Sequence, residues 1–377
     1  MLRFALRQFA FEPLRSFLTV AAIAAVIAVV LVLRGFEIGL YEQSRSAVLG
    51  RGADLFVAQA GVGNFVAVRS SLRQLARRDI EALPGVVEAH PVTSFPVIYE
   101  QAGRKVPVYL MVYDTWGGPA DLMAGALPST SLDAVIDRSL AHEFEIGVGE
   151  PLVISDFTFR VSGIAVGSAA FFMPFVFITY DGMLDFVLKS DIAPDLSTFP
   201  LVSHLLVEIE PGADPRMVAS RIENAVSDVD VYTPADMARN DVEMGQSLFG
   251  PVLGLLVAIS YVIGVLVVGL IVYADVRGHL RTYGVLKALG FRLRHLASGV
   301  ALQTLLSLVA AFPLGVLLGW AAAWFIEFAA PLYRVPILDV EGLVRTFLAG
   351  LAFALVGGML PLRVVARVDP IVAFKGT

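Results

Sequence analysis

The segment ADVRGHLRTYGVLKALGFRLRHL, residues 274–296, decides the architecture of this chain. It lies between two apolar segments, and it carries five basic side chains against one acidic side chain, Asp275. The basic residues are Arg277, Arg281, Lys287, Arg292 and Arg294. Short loops rich in Lys and Arg between membrane spans face the cytoplasm. The segment therefore predicts the topology of the whole protein, with a helix followed by Gly290 where a cytoplasmic partner can reach it.

The composition is that of a membrane protein. Of the 377 residues, 57% are hydrophobic and only 16% are charged, whereas soluble domains carry about 25% charged residues. The mean hydropathy is +0.75. The chain contains no cysteine, which excludes a disulfide framework, a thiolate metal site and a cysteine nucleophile.

Four segments are apolar and long enough to form helices that cross a bilayer, which takes about 20 residues. The predicted fold class is an α+β membrane protein with four transmembrane helices and a large extracytoplasmic α+β domain between helices 1 and 2. The predicted boundaries are a cytoplasmic interfacial helix at 1–15, transmembrane helices at 16–36, 248–274, 297–327 and 343–363, the extracytoplasmic domain at 37–247, the cytoplasmic coupling segment at 275–296, a short outer loop at 328–342 and a cytoplasmic tail at 364–377. Two alternatives stay open for the N-terminus, a disordered basic leader and a cleaved signal peptide.

The distribution of charge indicates the same orientation. Basic residues precede the first span and follow the fourth: Arg3, Arg7, Arg15, Arg363, Arg367 and Lys375. Residues 37–247 hold 14 basic and 28 acidic side chains, whereas the rest of the chain holds 14 basic and 6 acidic side chains. Anionic lipid headgroups attract the basic part. The acidic domain is a poor candidate for binding nucleic acid, because phosphate contacts require clustered Lys and Arg.

The outer domain alternates helix-like and strand-like segments. Helices are predicted at 71–83, with a serine cap, and at 214–226, with Asp and Pro at the start. Strand–helix–strand units at 37–116 and 200–247 predict one α+β subdomain that is built from both flanks. The intervening segment 117–199 has short strand patterns and Gly-rich turns, and it predicts a β-rich subdomain inserted into the first.

Known catalytic motifs are absent from the sequence. No G-x-x-x-x-G-K-[ST] phosphate loop, H-E-x-x-H zinc motif or G-x-S-x-G nucleophile motif occurs. We therefore predict no catalytic, cofactor-binding or metal-binding residue and no enzymatic activity on this chain. For His90, His142 and His204 we expect a surface position, with metal or haem ligation as the alternative. Glu327 and Met244 are either substrate contacts or structural residues.

Small residues recur at a spacing of four in the predicted spans. They are Gly315, Gly319, Gly350, Ala354 and Gly358. Small residues let helix backbones approach closely in lipid. We predict helix packing at these positions, either within the chain or between two copies. The alternative is that they reflect only the general frequency of glycine and alanine in such helices.

Three stretches of the chain resemble the FtsX-like permease family. Residues 281–290, RTYGVLKALG, resemble the family's cytoplasmic motif R-x-E-[IFY]-G-[IVL]-L-[RK]-A-[LI]-G-A. Residues 2–25 resemble its opening helix and first span, and residues 362–374 resemble its closing Asp-Pro pattern. Thr282 stands where the family commonly has an acidic residue, and Phe291 stands where it has alanine. The missing carboxylate puts one ion pair to an ATPase in doubt.

The resemblance implies a permease subunit of a MacB-type ABC transporter in the bacterial inner membrane, with both termini cytoplasmic. Two permease chains, expected to be identical, would pair with two ATPase subunits that bind ATP and magnesium, so this chain would carry no cofactor. A periplasmic adaptor is a further implied partner, and the implied activity is export or extraction of a lipophilic or envelope substrate. The residues implied to couple to the ATPase are Arg277, Arg281, Tyr283, Gly284, Val285, Leu286, Lys287, Ala288, Leu289 and Gly290.

The implied mechanism is a rigid lever. The helix of the second span would continue past Tyr273 and end at Gly290 with a left-handed cap. Two other functions stay open. A subunit of the same fold could activate a cell-wall hydrolase without transport, or the chain could be a membrane-anchored adhesion or sensor protein with no ATPase. The basic segment 274–296 favours the functions that need a cytoplasmic partner.

Overall fold

The computed structural model describes residues 13–66, 68–73, 75–190, 202–291 and 293–367. They form two compact units. The outer unit comprises Gly39–Gly250 and Ala329–Arg334; the membrane unit comprises Pro251–Phe328 and the described residues of Met1–Ile38 and Val335–Thr377. Residues 1–12 of the interfacial helix predicted at 1–15, and most of the tail predicted at 364–377, lie outside the described residues.

The described residues form nine helices and eleven strands. The helices are α1 (Pro13–Leu49), α2 (Ala76–Glu81), α3 (Arg138–Phe144), α4 (Tyr180–Lys189), α5 (Pro215–Ala225), α6 (Pro234–Gly278), α7 (Leu280–Ala288), α8 (Leu293–Ala329) and α9 (Val340–Arg367). The strands are β1 (Leu55–Gln59), β2 (Val86–Gln101), β3 (Arg104–Tyr113), β4 (Asp121–Gly125), β5 (Asp133–Asp137), β6 (Pro151–Ile154), β7 (Phe157–Val166), β8 (Ala169–Ala170), β9 (Met173–Thr179), β10 (His204–Ile209) and β11 (Val229–Tyr232).

Three helices of the described residues are long and apolar enough to cross a membrane. They are Ser16–Leu49 within α1, Pro234–Gly278, which is α6, and His295–Ala329 within α8. The fourth predicted span, 343–363, falls inside α9. The side chains of its second half are outside the described set, so the count of four spans stays a prediction.

The core of the membrane unit is formed by one face of each long helix. Ile23, Ile27 and Leu31 lie four residues apart on α1, and Val268 and Val272 lie four apart on α6. This spacing places each set on one side of its helix. Leu308 and Ala311 of α8 complete this buried cluster. The opposite faces stay exposed and apolar, as expected of helices that face lipid.

The outer unit is built on one sheet with the strand order β11-β1-β10-β2-β3-β9-β5-β7-β4. Strand β6 pairs with β2 and β7, and β8 pairs with β9. Most neighbours are antiparallel, but β3–β9 and β5–β7 are parallel. Strands from both flanks and from 117–199 therefore continue in one sheet. The sequence predicts two separate subdomains, whereas the structure has one continuous sheet. The two predicted parts are joined where β3 of the first flank pairs directly with β9 of the insert.

Alternate side chains along the strands are buried on opposite faces of the sheet. On β1, Phe56 and Ala58 belong to one cluster, whereas Leu55 and Val57 belong to another. Successive side chains of a strand point to opposite faces, so each face has its own cover. The ends of α1 and α6 pack on the first face, and α2 and α5 pack on the second. Helices α3 and α4 cover the part of the second face that is formed by β2, β3 and the strands of 117–190.

Of the two helices predicted in the flanks, one starts close to its predicted position and the other starts later. Helix α5 begins at Pro215, and the side chain of Asp214 accepts the N–H of Arg216, as predicted. Helix α2 begins only at Ala76, and no serine caps it. Near the predicted start of this helix, the Leu72 N–H is donated to the carbonyl of Val202 instead of to a carbonyl within a helix.

Candidate coupling site

The candidate site begins where helix α6 ends. The predicted single lever from Tyr273 to Gly290 is wrong, because α6 stops at Gly278 and a separate helix, α7, starts at Leu280. His279 between them leaves the helical region with φ −106° and ψ 13°. Its N–H is donated to the carbonyl of Val276 at 3.1 Å, which closes α6 with a tighter turn. Glycine has a low helix propensity, so Gly278 is a weak point for the helix.

Helix α7 ends in a Schellman motif around Gly290. Gly290 has φ +90°, a left-handed conformation that glycine adopts without steric cost. The Gly290 N–H is donated to the Lys287 carbonyl at 3.0 Å, and the Phe291 N–H is donated to the Leu286 carbonyl at 3.1 Å. These two bonds define the motif. The predicted left-handed cap at Gly290 is confirmed, although the helix that it closes is short.

The two faces of α7 differ in exposure. Gly284 is buried, and Leu286 packs against the buried cluster of the membrane unit. Val285 and Leu289 are 37% and 71% exposed, and Ala288 is exposed as well. Positions 285, 288 and 289 share one helix face. Together with Phe291, which is 40% exposed, they form an exposed apolar surface that we call the α7 patch.

Basic residues precede, follow and interrupt the α7 patch in the sequence. Arg277 is exposed and Lys287 is half-buried. The backbone places Arg281 and Tyr283 on α7, but their side chains are outside the described set. The composition of residues 274–296 predicted a basic contact surface, and the structure adds an apolar one. The spacing of Val285 and Leu289 could have indicated that surface from the sequence.

The small residues of the spans lie at close helix contacts. A Cβ atom at Gly315 of α8 would lie 2.8 Å from the Cβ of Ile27 and 2.9 Å from the carbonyl oxygen of Ala24, both on α1. A Cβ at Gly319 would contact α1 at Ala28 at 3.5 Å. A Cβ at Gly350 of α9 would lie 2.8 Å from Leu308 of α8. The side chains around Ala354 and Gly358 are outside the described set.

The surface position expected for the histidines is wrong for two of the three. His204 is buried, and its Nε2 donates to the carbonyl oxygen of Asn64 at 3.1 Å. His90 is buried and stacks on Trp116, with ring centroids 5.1 Å apart. His142 is exposed. Among the described residues, no group of three or more His, Asp or Glu is placed to hold a metal ion.

Comparisons with known proteins cover both units. The MacB-like periplasmic core domain matches residues 16–225, and the FtsX-like permease C-terminal region matches residues 254–370. The chain is 24% identical over 383 residues to a protein described as an uncharacterized ABC transporter permease of Mycobacterium tuberculosis strain H37Rv, and the match covers 100% of both chains.

Two further similarities are to proteins called MacB. The macrolide export ATP-binding/permease protein MacB of Nitrosomonas europaea is 24% identical over 254 residues, which cover 66% of this chain and 38% of that protein. The solved periplasmic region of MacB from Actinobacillus actinomycetemcomitans aligns with 51% of this chain and 94% of that one, with 13% identity and a TM-score of 0.37.

Proposed function

The chain belongs to the family of MacB-like and FtsX-like permeases, and from this premise we propose that it is the transmembrane subunit of an ABC transporter. ATP and magnesium would bind a separate ATPase chain, and two copies of the permease would pair with two ATPases. Four spans would place both termini in the cytoplasm of a bacterial cell and the acidic outer unit outside it. The proposed cargo is a lipophilic or envelope compound, with a periplasmic adaptor as a further partner.

The observation that carries this proposal is the α7 patch. A short helix with one buried face and one exposed apolar face is suited to lie in a groove of a partner protein. The Schellman motif at Gly290 fixes where this helix ends, so the patch has a defined shape. The basic residues at 277 and 287 add electrostatic attraction to an acidic rim, which mainly increases the rate and specificity of association.

The proposal is compatible with the absence of a phosphate loop from this chain, because ATP would bind the separate ATPase. In this arrangement ATP-driven closure of the ATPase would push on α7, and α7 would pass the movement to α6 and α9. Helices α7 and α9 are in contact, and Leu286 joins α7 to the buried cluster of the membrane unit. Rigid-body movements of packed helices are an established way to transmit such a change.

The test uses two leucines of similar exposure. Leu289 in the α7 patch is 71% exposed, and Leu188 on α4 of the outer unit is 74% exposed. We expect Leu289→Ser to weaken capture of the ATPase that copurifies with the chain in mild detergent. Burying a leucine side chain contributes about 1.5–3 kcal/mol, which corresponds to about 10- to 150-fold in affinity.

Leu188→Ser is the matched control and should leave ATPase capture unchanged. Both variants should elute as the wild type does in size-exclusion chromatography, because neither leucine is buried. The proposal fails if no ABC-type ATPase copurifies with the wild type, or if the two variants capture and stimulate the ATPase equally well.

A further inference from the structure

A groove lies at the C-terminal end of helix α8, within the membrane unit. Its volume is about 500 Å³, inside the range of about 300–1,000 Å³ that is typical of small-molecule sites. Trp320, Trp324 and Leu338 contribute to its apolar wall, and Glu327 and Asp339 contribute two carboxylates. The coupling site described above uses none of these residues.

The apolar wall of the groove is accessible. Trp320 is 52% exposed, Trp324 is 60% exposed and Leu338 is 64% exposed. Trp324 stacks on Phe328 with ring centroids 5.6 Å apart and planes inclined by 16°. The face of a tryptophan ring attracts cations more strongly than the other aromatic side chains do.

Two carboxylates, those of Glu327 and Asp339, place negative charge in the groove. Oε1 of Glu327 accepts the N–H of Val335 at 2.8 Å, and Oδ2 of Asp339 accepts the N–H of Gly342 at 2.7 Å. These bonds fix both carboxylates and engage one oxygen of each. Glu327 lies in the last turn of α8, where the helix carbonyls already carry partial negative charge, and this turn contains no basic residue. The residues that line the groove are all described, and none of them is basic.

We propose that this groove binds a small amphiphile with an amine or quaternary ammonium head group. The head would lie at Glu327 and Asp339, and the apolar body would lie on Trp320 and Trp324. Charge complementarity favours this occupant, because an anionic amphiphile is repelled by both carboxylates and a neutral one gains no ionic attraction from them. The inference goes beyond the proposed function and is independent of it, since no ATPase takes part in binding.

The tryptophans of the chain provide the measurement. The chain has three tryptophans, and Trp116 is the one outside the groove. In a Trp116→Phe variant the intrinsic fluorescence therefore reports on the groove alone. The variant is titrated in uncharged maltoside micelles with a trimethylammonium amphiphile that carries bromine on its chain, because bromine quenches tryptophan on contact. The same brominated chain with a hydroxyl head group is the neutral probe.

We expect saturable quenching with half-saturation at a concentration at least tenfold lower for the cationic probe than for the neutral one. Glu327→Gln combined with Asp339→Asn keeps the two oxygen acceptors but removes both charges, and it should abolish this preference. Glu341→Gln is the control, because it removes a charge from the start of α9 without touching the groove. It should keep the preference.

Several outcomes would overturn the inference. Equal quenching by both probes would indicate partition into the micelle. A cationic preference that survives in the double variant would place the binding site elsewhere. Absence of quenching by either probe would indicate a groove covered by a second copy of the chain. Unchanged quenching of the double variant by the neutral probe, with unchanged elution volume, shows that the double variant is folded.

Discussion

Asp241 and His204 are buried ionisable residues that hold the same loop of the outer unit. Oδ1 of Asp241 accepts the N–H of Phe65 at 3.0 Å, and Nε2 of His204 donates to the carbonyl of Asn64 at 3.1 Å. Burial raises the pKa of Asp241 to about 7. Burial also lowers the pKa of His204 to about 4. Tyr109, whose pKa burial raises to about 12, stays neutral over this range and also lies near Asp241.

The two residues should make opposite contributions to stability as pH changes. An unfolded Asp loses its proton near pH 3.9, so the contribution of Asp241 is present below that value and is lost as pH rises towards 7. An unfolded His gains a proton near pH 6.5, so the contribution of His204 is lost as pH falls from 6.5 towards 4. Over most of this interval, a rise in pH therefore lowers the contribution of Asp241 to stability and raises that of His204.

Single substitutions should separate these two contributions. Relative to the wild type, Asp241→Asn should gain stability as pH rises from about 4 to about 7, because the neutral amide never has to ionise while buried. His204→Gln should gain relative stability as pH falls from about 6.5 to about 4. One pKa unit corresponds to about 1.4 kcal/mol, which makes the effects a few kcal/mol at most.

The measurement is unfolding followed by Trp116 fluorescence in a Trp320→Phe, Trp324→Phe background, between pH 4.5 and 8. Comparison of each variant with the wild type cancels the contributions of other titrating groups. The difference in unfolding stability between each variant and the wild type should therefore depend on pH. A difference that is constant with pH, or that changes in the same direction for both variants, would contradict the pKa shifts given for Asp241 and His204.

At the scale of elements, the contact between α8 and α1 depends on a position without a side chain. Gly315 packs against Ile27 and the carbonyl oxygen of Ala24. A Cβ atom added at Gly315 would lie less than 3.0 Å from both, which is too close for either contact. Gly315→Ala should therefore separate the two helices locally and lower the thermal stability of the membrane unit. Overpacking of this kind costs about 1–3 kcal/mol.

Gly254→Ala on α6 is the matched control, because a Cβ atom there would meet no atom within 4 Å. Alanine has the higher helix propensity, by about 1 kcal/mol, so this control should be neutral or mildly stabilising. Thermal unfolding in detergent, read by size-exclusion chromatography after heating, distinguishes the two. A Gly315→Ala variant as stable as the control would refute the packing argument.

The end of α7 depends on the backbone conformation of Gly290. A Cβ atom at Gly290 would meet nothing within 4 Å, so the cost of Gly290→Ala is backbone strain alone, about 1–2 kcal/mol. Asparagine tolerates the left-handed region better, and Gly290→Asn should cost less. Hydrogen–deuterium exchange should speed up at the amides of Gly290 and Phe291 in the alanine variant. Equal exchange in all three proteins would contradict the motif.

Several elements could be predicted from local patterns, and others could not. The Asp-Pro start of α5 and the left-handed Gly290 follow from residues within a few positions. The break at His279 has only a weak local signal, Gly278, because a single glycine lowers helix propensity without fixing where a helix ends. The late start of α2 coincides with pairing between Leu72 and Val202, and single-sequence patterns do not reveal such distant contacts.

At the scale of the whole molecule, hydropathy identifies the apolar helices, but the sheet of the outer unit depends on long-range pairing. The parallel pairing of Tyr109 with Phe175 joins segments that are far apart in sequence. It connects the first flank to the segment 117–199, which is predicted to be a separate subdomain. The groove at Glu327 is equally non-local, since its wall comes from the end of α8 and from residues 335–339. The exposed face of α7 was visible in the spacing of Val285 and Leu289.

The absence of cysteine allows a direct test of the proposed topology. Ser220 on α5 and Ala288 on α7 are both exposed, so Ser220→Cys and Ala288→Cys each introduce one reactive thiol. A membrane-impermeant maleimide should label the first variant on intact spheroplasts and the second only after permeabilisation. Labelling of Ala288→Cys on intact spheroplasts would reverse the orientation and would remove the basis for an ATPase at α7.

The exposed leucine of the α7 patch also has a consequence for protein synthesis in the cell. Val285, Leu289 and Phe291 form an exposed apolar area, and such an area is an aggregation liability when a subunit lacks its companion. Under the proposed assembly, surplus permease made without enough ATPase would keep this area bare and be degraded. The steady-state amount of the chain would then follow the supply of the other subunit, so matched expression of the two would be a requirement of the architecture.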